Sequence, residues 1–549
     1  MRIDPWVVNV GSPGGANGSG IVVRHMSQVS FRNTSVVGAL TLLSRITGLA
    51  REVVYADLFG ARAFMDAFLV AFKIPNFLRR LFAEGAFAQG FVPVISEYRH
   101  RRAEAEVREL VSGTAGTLGA ILLVVTAVGV LAAPVLVFMF APGFLRQSPE
   151  KFQQAVAMLH LTFPYLLFIS LTALFSGVLN SYGRFAVPAI TQSLMNVVMI
   201  VFTAWLAAGS RNPGLVMSLG VFVAGLVQLA FQLPFVAQLK LLGWPRWRPA
   251  LEGVRRIGRL MLPGILGSSM AQVSLLIDTF IASFLATGSI AWLYYADRLM
   301  EFPLGVFSIA LATVILPGLS AHHASQSRAS FTATLDWALR LTLLLATPAA
   351  VAMLVIAGPL TATILGRGAF NGRDVTMTSY ALMAYAGGLL GMSLVKVLAP
   401  GYFARQDTRT PLRMSLASLA VNVLINLLVV APAAWRGYRA PHALLALSTS
   451  ASAIVNTVLL WRGLHRAGVW RPARGWTPLI ARVLAANVAM AALLAWLAGD
   501  LAGWLALSPL HRAARCLGCI AAGAAGYFAT LLLLGVRYAD VAAVPVAEG

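Results

Sequence analysis

Charge is what this sequence has least of. Of 549 residues, 11% are charged and 58% hydrophobic, and the mean hydropathy is +0.78. A soluble chain of this length could not cover its surface with so few charges. Acid is scarcer than base, 20 Asp+Glu against 42 Lys+Arg, for a net charge of +22. In a soluble protein that excess would suggest nucleic acid. In so apolar a chain it belongs to cytoplasmic loops, which collect Lys and Arg, and no nucleic-acid partner is expected. Cysteine is nearly absent: Cys516 and Cys519 sit in an Ala/Gly-rich apolar run. Two thiols make no disulfide framework, and no further ligands stand near them to make a metal site, so they read as packing residues. A membrane-embedded glycosyltransferase or phosphatase would need a cluster of acids, or His and Ser, in a sizeable loop. The loops here are short and basic, so no enzyme and no cofactor is expected.

What is present is a series of apolar runs of about 20 residues, each long enough to cross roughly 30 Å of hydrocarbon as a helix. They fall near 34–58, 65–97, 112–140, 155–180, 186–209, 215–239, 258–286, 289–318, 338–364, 375–403, 411–433, 441–461, 477–499 and 515–536. The fold class is therefore an all-α polytopic membrane protein with 14 transmembrane helices. With both termini cytoplasmic, the inner loops hold more than twice the Lys and Arg of the outer ones, led by RHRRAEAEVRE (99–109) and KLLGWPRWRPALEGVRRIGR (240–259). Residues 1–33, which include GSPGGANGSG, read as a disordered tail, and Met26 begins a more ordinary start. No signal peptide is recognisable there. A weak internal echo at a six-helix offset pairs FVPVISEY (91–98) with VILPGLSAHH (314–323). It also pairs RFAVPAITQSLMNVV (184–198) with RTPLRMSLASLAVNVL (409–424). Two six-helix lobes, 34–239 and 240–463, would then precede two extra helices in 464–536 and a tail at 537–549. Repeated lobes with a site between them are common in transporters.

The charges inside the apolar runs carry the chemistry. In the first run Thr41, Ser44, Arg45, Gly48, Arg51 and Glu52 fall on one helical stripe of about 120°, opposite Leu42, Leu43, Ile46, Leu49 and Ala50. A charge near mid-bilayer costs about 2.5–3.5 kcal/mol even on lenient scales. The stripe must face water, a partner charge or an anion. It reads either as a structural Arg51–Glu52 pairing or as a wet cavity wall. The second run holds Asp66, Lys73, Arg79, Arg80 and Glu84, with Pro75 expected to break or kink it. That kink leaves open which of Arg79 and Arg80 faces inward. The eighth run adds Tyr294, Tyr295, Asp297, Arg298 and Glu301; Asp278, Lys396 and Arg482 lie in others. Arginine stays charged and presents a planar fork suited to phosphate oxygens, whereas a proton relay leans on carboxylates and histidine. The cavity chemistry points to an anionic, phosphate-bearing ligand.

With these residues in view, the chain resembles the lipid II flippase family MurJ (also called MviN), within the multidrug/oligosaccharidyl-lipid/polysaccharide exporter superfamily. The stretches that carry the resemblance are SRITGLARE (44–52), DAFLVAFKIPNFLRRLFAEGAFAQGFVPVISEY (66–98), YYADRLMEFPLGV (294–306) and APGYFARQDTRTP (399–411). The resemblance implies two lobes around a central cationic cavity, with helices 13 and 14 forming a groove for a polyprenyl tail. It implies cavity arginines at Arg45, Arg51, Arg79 and Arg298 and a functional acid at Asp66. Ser44, Glu52, Arg80, Asp297 and Glu301 complete the expected substrate-binding set. One departure is visible: the family usually reads Arg-Asp where this chain has Arg51-Glu52, which shifts the carboxylate by a methylene. No complete sodium site can be placed, although Asp278 and Asn422 are candidates, so coupling to sodium or to membrane potential stays open. The implied function is alternating-access transfer of lipid II, the undecaprenyl-diphosphate-linked peptidoglycan precursor, across the bacterial cytoplasmic membrane. A flippase for another polyprenyl-diphosphate-linked oligosaccharide is the alternative. An exporter of cationic drugs would need an acidic cavity, and this one is basic.

Overall fold

A computed structural model describes residues 19–80, 87–305, 315–316, 318–320, 327–470, 472 and 475–536; within them, the side chains of 19–37, 88–89, 262–272 and 275 are not described. The described residues form helices and connecting loops, with no strand among them. The long helices are α1 (Ser19–Phe59), α2 (Ala63–Arg79), α3 (Ala88–Arg101), α4 (Glu104–Leu131), α5 (Pro149–Thr162), α6 (Tyr165–Ser181), α7 (Ala186–Val201) and α8 (Pro213–Gln238). They continue as α9 (Glu252–Ala282), α10 (Ser289–Pro303), α11 (Arg328–Val355), α12 (Gly372–Phe403), α13 (Arg409–Ile425), α14 (Pro441–Arg466), α15 (Trp476–Ala498) and α16 (Pro509–Leu533). Ten stretches, counting α5 with α6 as one, are long and apolar enough to cross a membrane. Glu84, residues 1–18, the tail from 537 and half of VILPGLSAHH lie outside the described residues. Helix α1 begins at Ser19, inside the stretch read as tail, and no proline interrupts it.

Prolines shape the bundle less than the sequence suggests. Helix α2 runs through Pro75 instead of ending there. Proline removes the N–H that would bond the carbonyl of Ala71, and Thr162 Oγ1 of α5 donates to that carbonyl at 2.8 Å. Helix α11 repeats the device at Pro348. The Leu344 carbonyl, four residues earlier, accepts from Tyr527 Oη of α16 at 3.0 Å. A side chain from a neighbouring helix thus satisfies each freed carbonyl, as the bilayer requires.

In the first half, α7 packs on α1, α8 on α6 and α7, and α5 on α2. In the second, α12 packs on α14 and α11, and α13 on α14. The last pair packs together and docks on α11, where Cys516, Cys519, Gly523 and Tyr527 are buried. A Cβ on Gly523 would meet Leu494, and one on Gly526 would meet Leu493, so these glycines serve close helix packing more than a smooth groove. The connector between α8 and α9 crosses α4. Ser112 Oγ donates to the Trp244 carbonyl at 3.0 Å, and Thr117 Oγ1 accepts from the Arg248 N–H at 3.1 Å. Gly116 permits this crossing: a Cβ there would land on the Arg246 backbone. Helices α7 and α13 each run into a π segment, Phe202–Ala207 and Asn426–Val430.

Candidate functional site

Two chambers lie between the halves. The larger, of about 730 Å³, is walled by all six residues of the α1 stripe, Thr41, Ser44, Arg45, Gly48, Arg51 and Glu52. Opposite stand Arg298 and Glu301 of α10, then an apolar surface made by Ala352, Met353, Ile356 and Ile364, with Ile520 of α16. The smaller, of about 230 Å³, is lined by Lys73, Asn76, Arg80, Asp278, Tyr294 and Asp297 among others. Arg298 and Glu301 line both chambers. Tyr294, Arg298 and Glu301 stand at i, i+4 and i+7, one face of α10, which is why one helix serves both.

Two of the three cations of the larger chamber are already paired. Arg51 Nη2 donates to Glu52 Oε1 at 2.5 Å and Nη1 to Asn196 Oδ1 at 3.0 Å. Tyr294 Oη donates to the same Glu52 oxygen at 2.8 Å, bridging α1 to α10. The pair is deep, Arg51 8% and Glu52 2% exposed. Arg298 pairs with Glu301 at 2.5 Å and stacks over the Tyr294 ring at 5.1 Å. Both readings of the stripe therefore hold together: it is a cavity wall, and Arg51 and Glu52 are an ion pair within it. Among the described residues Arg45 has no ion-pair partner; its guanidinium lies against Gly305, where a Cβ would collide with it.

Other predicted residues lie elsewhere. Asp66 lines neither chamber. Its carboxylate pairs with Lys151 at 2.9 Å and accepts the Gly288 N–H at 2.7 Å and the Ala291 N–H at 3.0 Å. It thus holds the N-terminus of α10, where a negative charge is favourable. The structure places it as a clasp on α10, away from both chambers; the lysine that pairs with it sits 85 residues away and gave no local signal. Arg80 faces the smaller chamber, whereas Arg79 lines a separate 260 Å³ chamber with Gln192, Gln228 and the stacked rings of Phe87 and Phe91. Gln192 also borders the larger chamber. Lys396 is exposed on α12.

The second half contains a polar knot. Asp278 Oδ1 accepts from Asn426 Nδ2 at 3.3 Å and its Oδ2 from Thr449 Oγ1 at 3.2 Å. Asn426 also donates to Asn422 Oδ1 at 3.2 Å, and Ser448 Oγ donates to Asn426 Oδ1 at 2.6 Å. Asp278 borders the smaller chamber, so the knot opens on it. Of these residues the sequence reading singled out Asp278 and Asn422. The run LSTSAS (447–452), polar inside an apolar span, could have added Ser448 and Thr449. No cluster of three or more His, Cys, Asp or Glu suited to a metal ion occurs among the described residues.

Comparisons with known proteins bear on the family and on the fold. The family model described as "Lipid II flippase MurJ" matches residues 55–512. The "Probable lipid II flippase MurJ" of Vibrio cholerae serotype O1 is 44% identical over 525 residues, 94% of this chain and 98% of that protein. A solved structure of "Lipid II flippase MurJ, inward closed conformation" superposes with a TM-score of 0.76 at 23% identity, over 92% of this chain and 99% of that one. An inward-facing multidrug resistance MATE family transporter of the MOP superfamily superposes with a TM-score of 0.63 at 12% identity, over 79% and 98%. These two structures bear on the fold.

Proposed function

The chain belongs to the lipid II flippase MurJ family, and on that premise we propose that it carries lipid II from the inner to the outer leaflet of the bacterial cytoplasmic membrane by alternating access. The single observation that carries this reading is the two-sided wall of the larger chamber. One part of it offers Arg45 of α1 and Arg298 of the facing α10, planar forks that bind phosphate oxygens bidentately. The other is apolar and ends at Ile520 on the C-terminal helix pair, where an isoprenoid chain can lie. A lipid-linked diphosphate has the same two faces. Ser44, Glu52 and Glu301 shape the polar side, Asp297 lines the smaller chamber beside Arg80, and Arg79 and Arg80 receive more distant parts of the headgroup from their flanking chambers.

Fourteen spans in two lobes, 34–239 and 240–463, with the pair in 464–536 and both termini cytoplasmic, fit this cycle. The basic stretches at 99–109 and 240–259 support that orientation. The polar knot around Asp278 serves as a coupling site for a sodium-sized cation. One carboxylate and four neutral oxygens suit a hard monovalent ion, and its opening onto the smaller chamber ties ion occupancy to Arg298. The test is complementation in a depletion strain with an assay of lipid II exposed on the outer leaflet. Arg45→Ala and Arg298→Ala should insert at normal levels and leave lipid II in the inner leaflet; normal exposure in both would refute the reading.

A further inference from the structure

The two halves carry an acid and an asparagine at the same spacing. Glu52 on α1 precedes Asn196 on α7 by 144 residues, and Asp278 on α9 precedes Asn422 on α13 by 144 residues (52 to 196, 278 to 422). The six-helix echo in the sequence makes α1 the counterpart of α9, and α7 the counterpart of α13. Each asparagine lies within six residues of the π segment that ends its helix. Such segments gather at functional sites. The surroundings match as well. Around Asp278 stand amide and hydroxyl oxygens from Asn422, Asn426, Ser448 and Thr449. Around Glu52 stand Asn196 Oδ1, Tyr294 Oη and, through the Asn196 amide, Thr47 Oγ1.

The occupants differ. In the first half a guanidinium fills the position: Arg51 spans Glu52 and Asn196 with its two terminal nitrogens. Those contacts engage both terminal nitrogens, while Nε is buried with no hydrogen-bond partner. Across from it, Glu52 Oε2 is also buried without one. In the second half, among the described residues, no basic side chain hydrogen-bonds to the knot; Lys73, which lines the same chamber as Asp278, donates instead to Thr279 Oγ1 at 2.7 Å. We propose that Arg51 is a tethered cation occupying the first half's copy of the cation site that the second half keeps for a free, exchangeable monovalent ion. This rests on the reading of the Asp278 knot as a cation site. In the cycle, the first half is then locked in its ion-bound form, and only the second half responds to sodium. Arg51 acts mainly as a positioning residue, holding α1 to α7 and α10, and Arg45 and Arg298 carry the ligand.

The test counts radioactive sodium bound at saturation by the full-length purified protein, held in lipid nanodiscs. Wild type should bind one ion per chain, and Asp278→Asn none. Arg51→Ala should bind two, and Arg51→Ala with Glu52→Gln one again. Arg51→Lys keeps a tethered cation and should stay at one. Arg51→Gln, uncharged and still polar, should also bind two and serves if the alanine variant fails to fold. A count of one in both neutral Arg51 variants overturns this inference while leaving the Asp278 site standing. A wild-type count of zero overturns both.

Discussion

Replacing Gly305 with alanine separates fold from function at one atom. A Cβ at 305 would fall on the Arg45 guanidinium, the far end of a flexible side chain, so the arginine can swing away at little structural cost. The backbone at 305 is helical, and alanine in a helix is favoured over glycine by roughly 0.5–1 kcal/mol. Stability should therefore hold or rise. Placement should not: Arg45 is the chamber's one cation without an ion-pair partner among the described residues. A hydrogen bond to a charged group contributes about 1.5–3 kcal/mol, so losing it should weaken binding of the lipid-linked diphosphate by roughly ten- to 150-fold. Thermal unfolding in detergent and outer-leaflet lipid II exposure should then move apart, with Tm unchanged or higher and exposure low. Gly305→Ala with wild-type exposure would refute the claim that Arg45 works from its position against Gly305. A lowered Tm would refute the claim that the glycine is there for the arginine.

Thr162→Val and Tyr527→Phe each strand a carbonyl freed by proline. Each should cost about 0.6–2 kcal/mol, read as a lower unfolding temperature, with little loss where the proline is also replaced by alanine. Asp66→Asn leaves Lys151 buried without its counter-charge and should destabilise by roughly 3–5 kcal/mol, seen as low expression and Tm, while Asp66→Asn with Lys151→Met, which removes the stranded charge and keeps an acceptor for the α10 amides, should recover most of it. Ile520→Trp should fill the apolar side of the chamber and slow lipid II transport in a monodisperse protein with unchanged Tm; undiminished transport would remove the prenyl chain from that wall.

Periodicity made the α1 stripe legible: six residues chosen on a wheel all border one chamber, because an uninterrupted helix keeps its phase. The same reasoning stopped at Pro75, where the helix in fact continues, because the repair comes from Thr162 on another helix. Asp66 shows the second limit. Its charge and position were readable, but its partners, Lys151 and two backbone amides of α10, meet it only through tertiary packing. The pairings of Arg298 with Glu301 and Arg51 with Glu52 were within reach of spacing, and they change the cavity's character from a cluster of free cations to one mostly compensated.

That compensation bears on the driving force. Together the two chambers are lined by five bases, Arg45, Arg51, Lys73, Arg80 and Arg298, and four acids, Glu52, Asp278, Asp297 and Glu301. With no cation on Asp278 the excess is a single positive charge. A charge crossing the whole membrane gains or loses about 2.3 kcal/mol per 100 mV. With the cell interior negative, the empty site is drawn inward. A bound lipid-linked diphosphate, near −2 at neutral pH, turns the sum to about −1, so the loaded site is driven outward, the direction of export. Three uncompensated arginines would remain positive after loading and would be held inside. The acids therefore set the sign of the loaded step. Glu301→Gln, which adds one net positive charge, should bring the loaded sum near zero and leave its inward-to-outward ratio insensitive to potential. That ratio can be read from the accessibility of a cysteine introduced at Gly48, in the background Cys516→Ala/Cys519→Ala, with and without an ionophore at constant sodium and pH. If Glu301→Gln and Glu301 proteins respond alike with lipid II bound, potential does not act through the charge of this cavity.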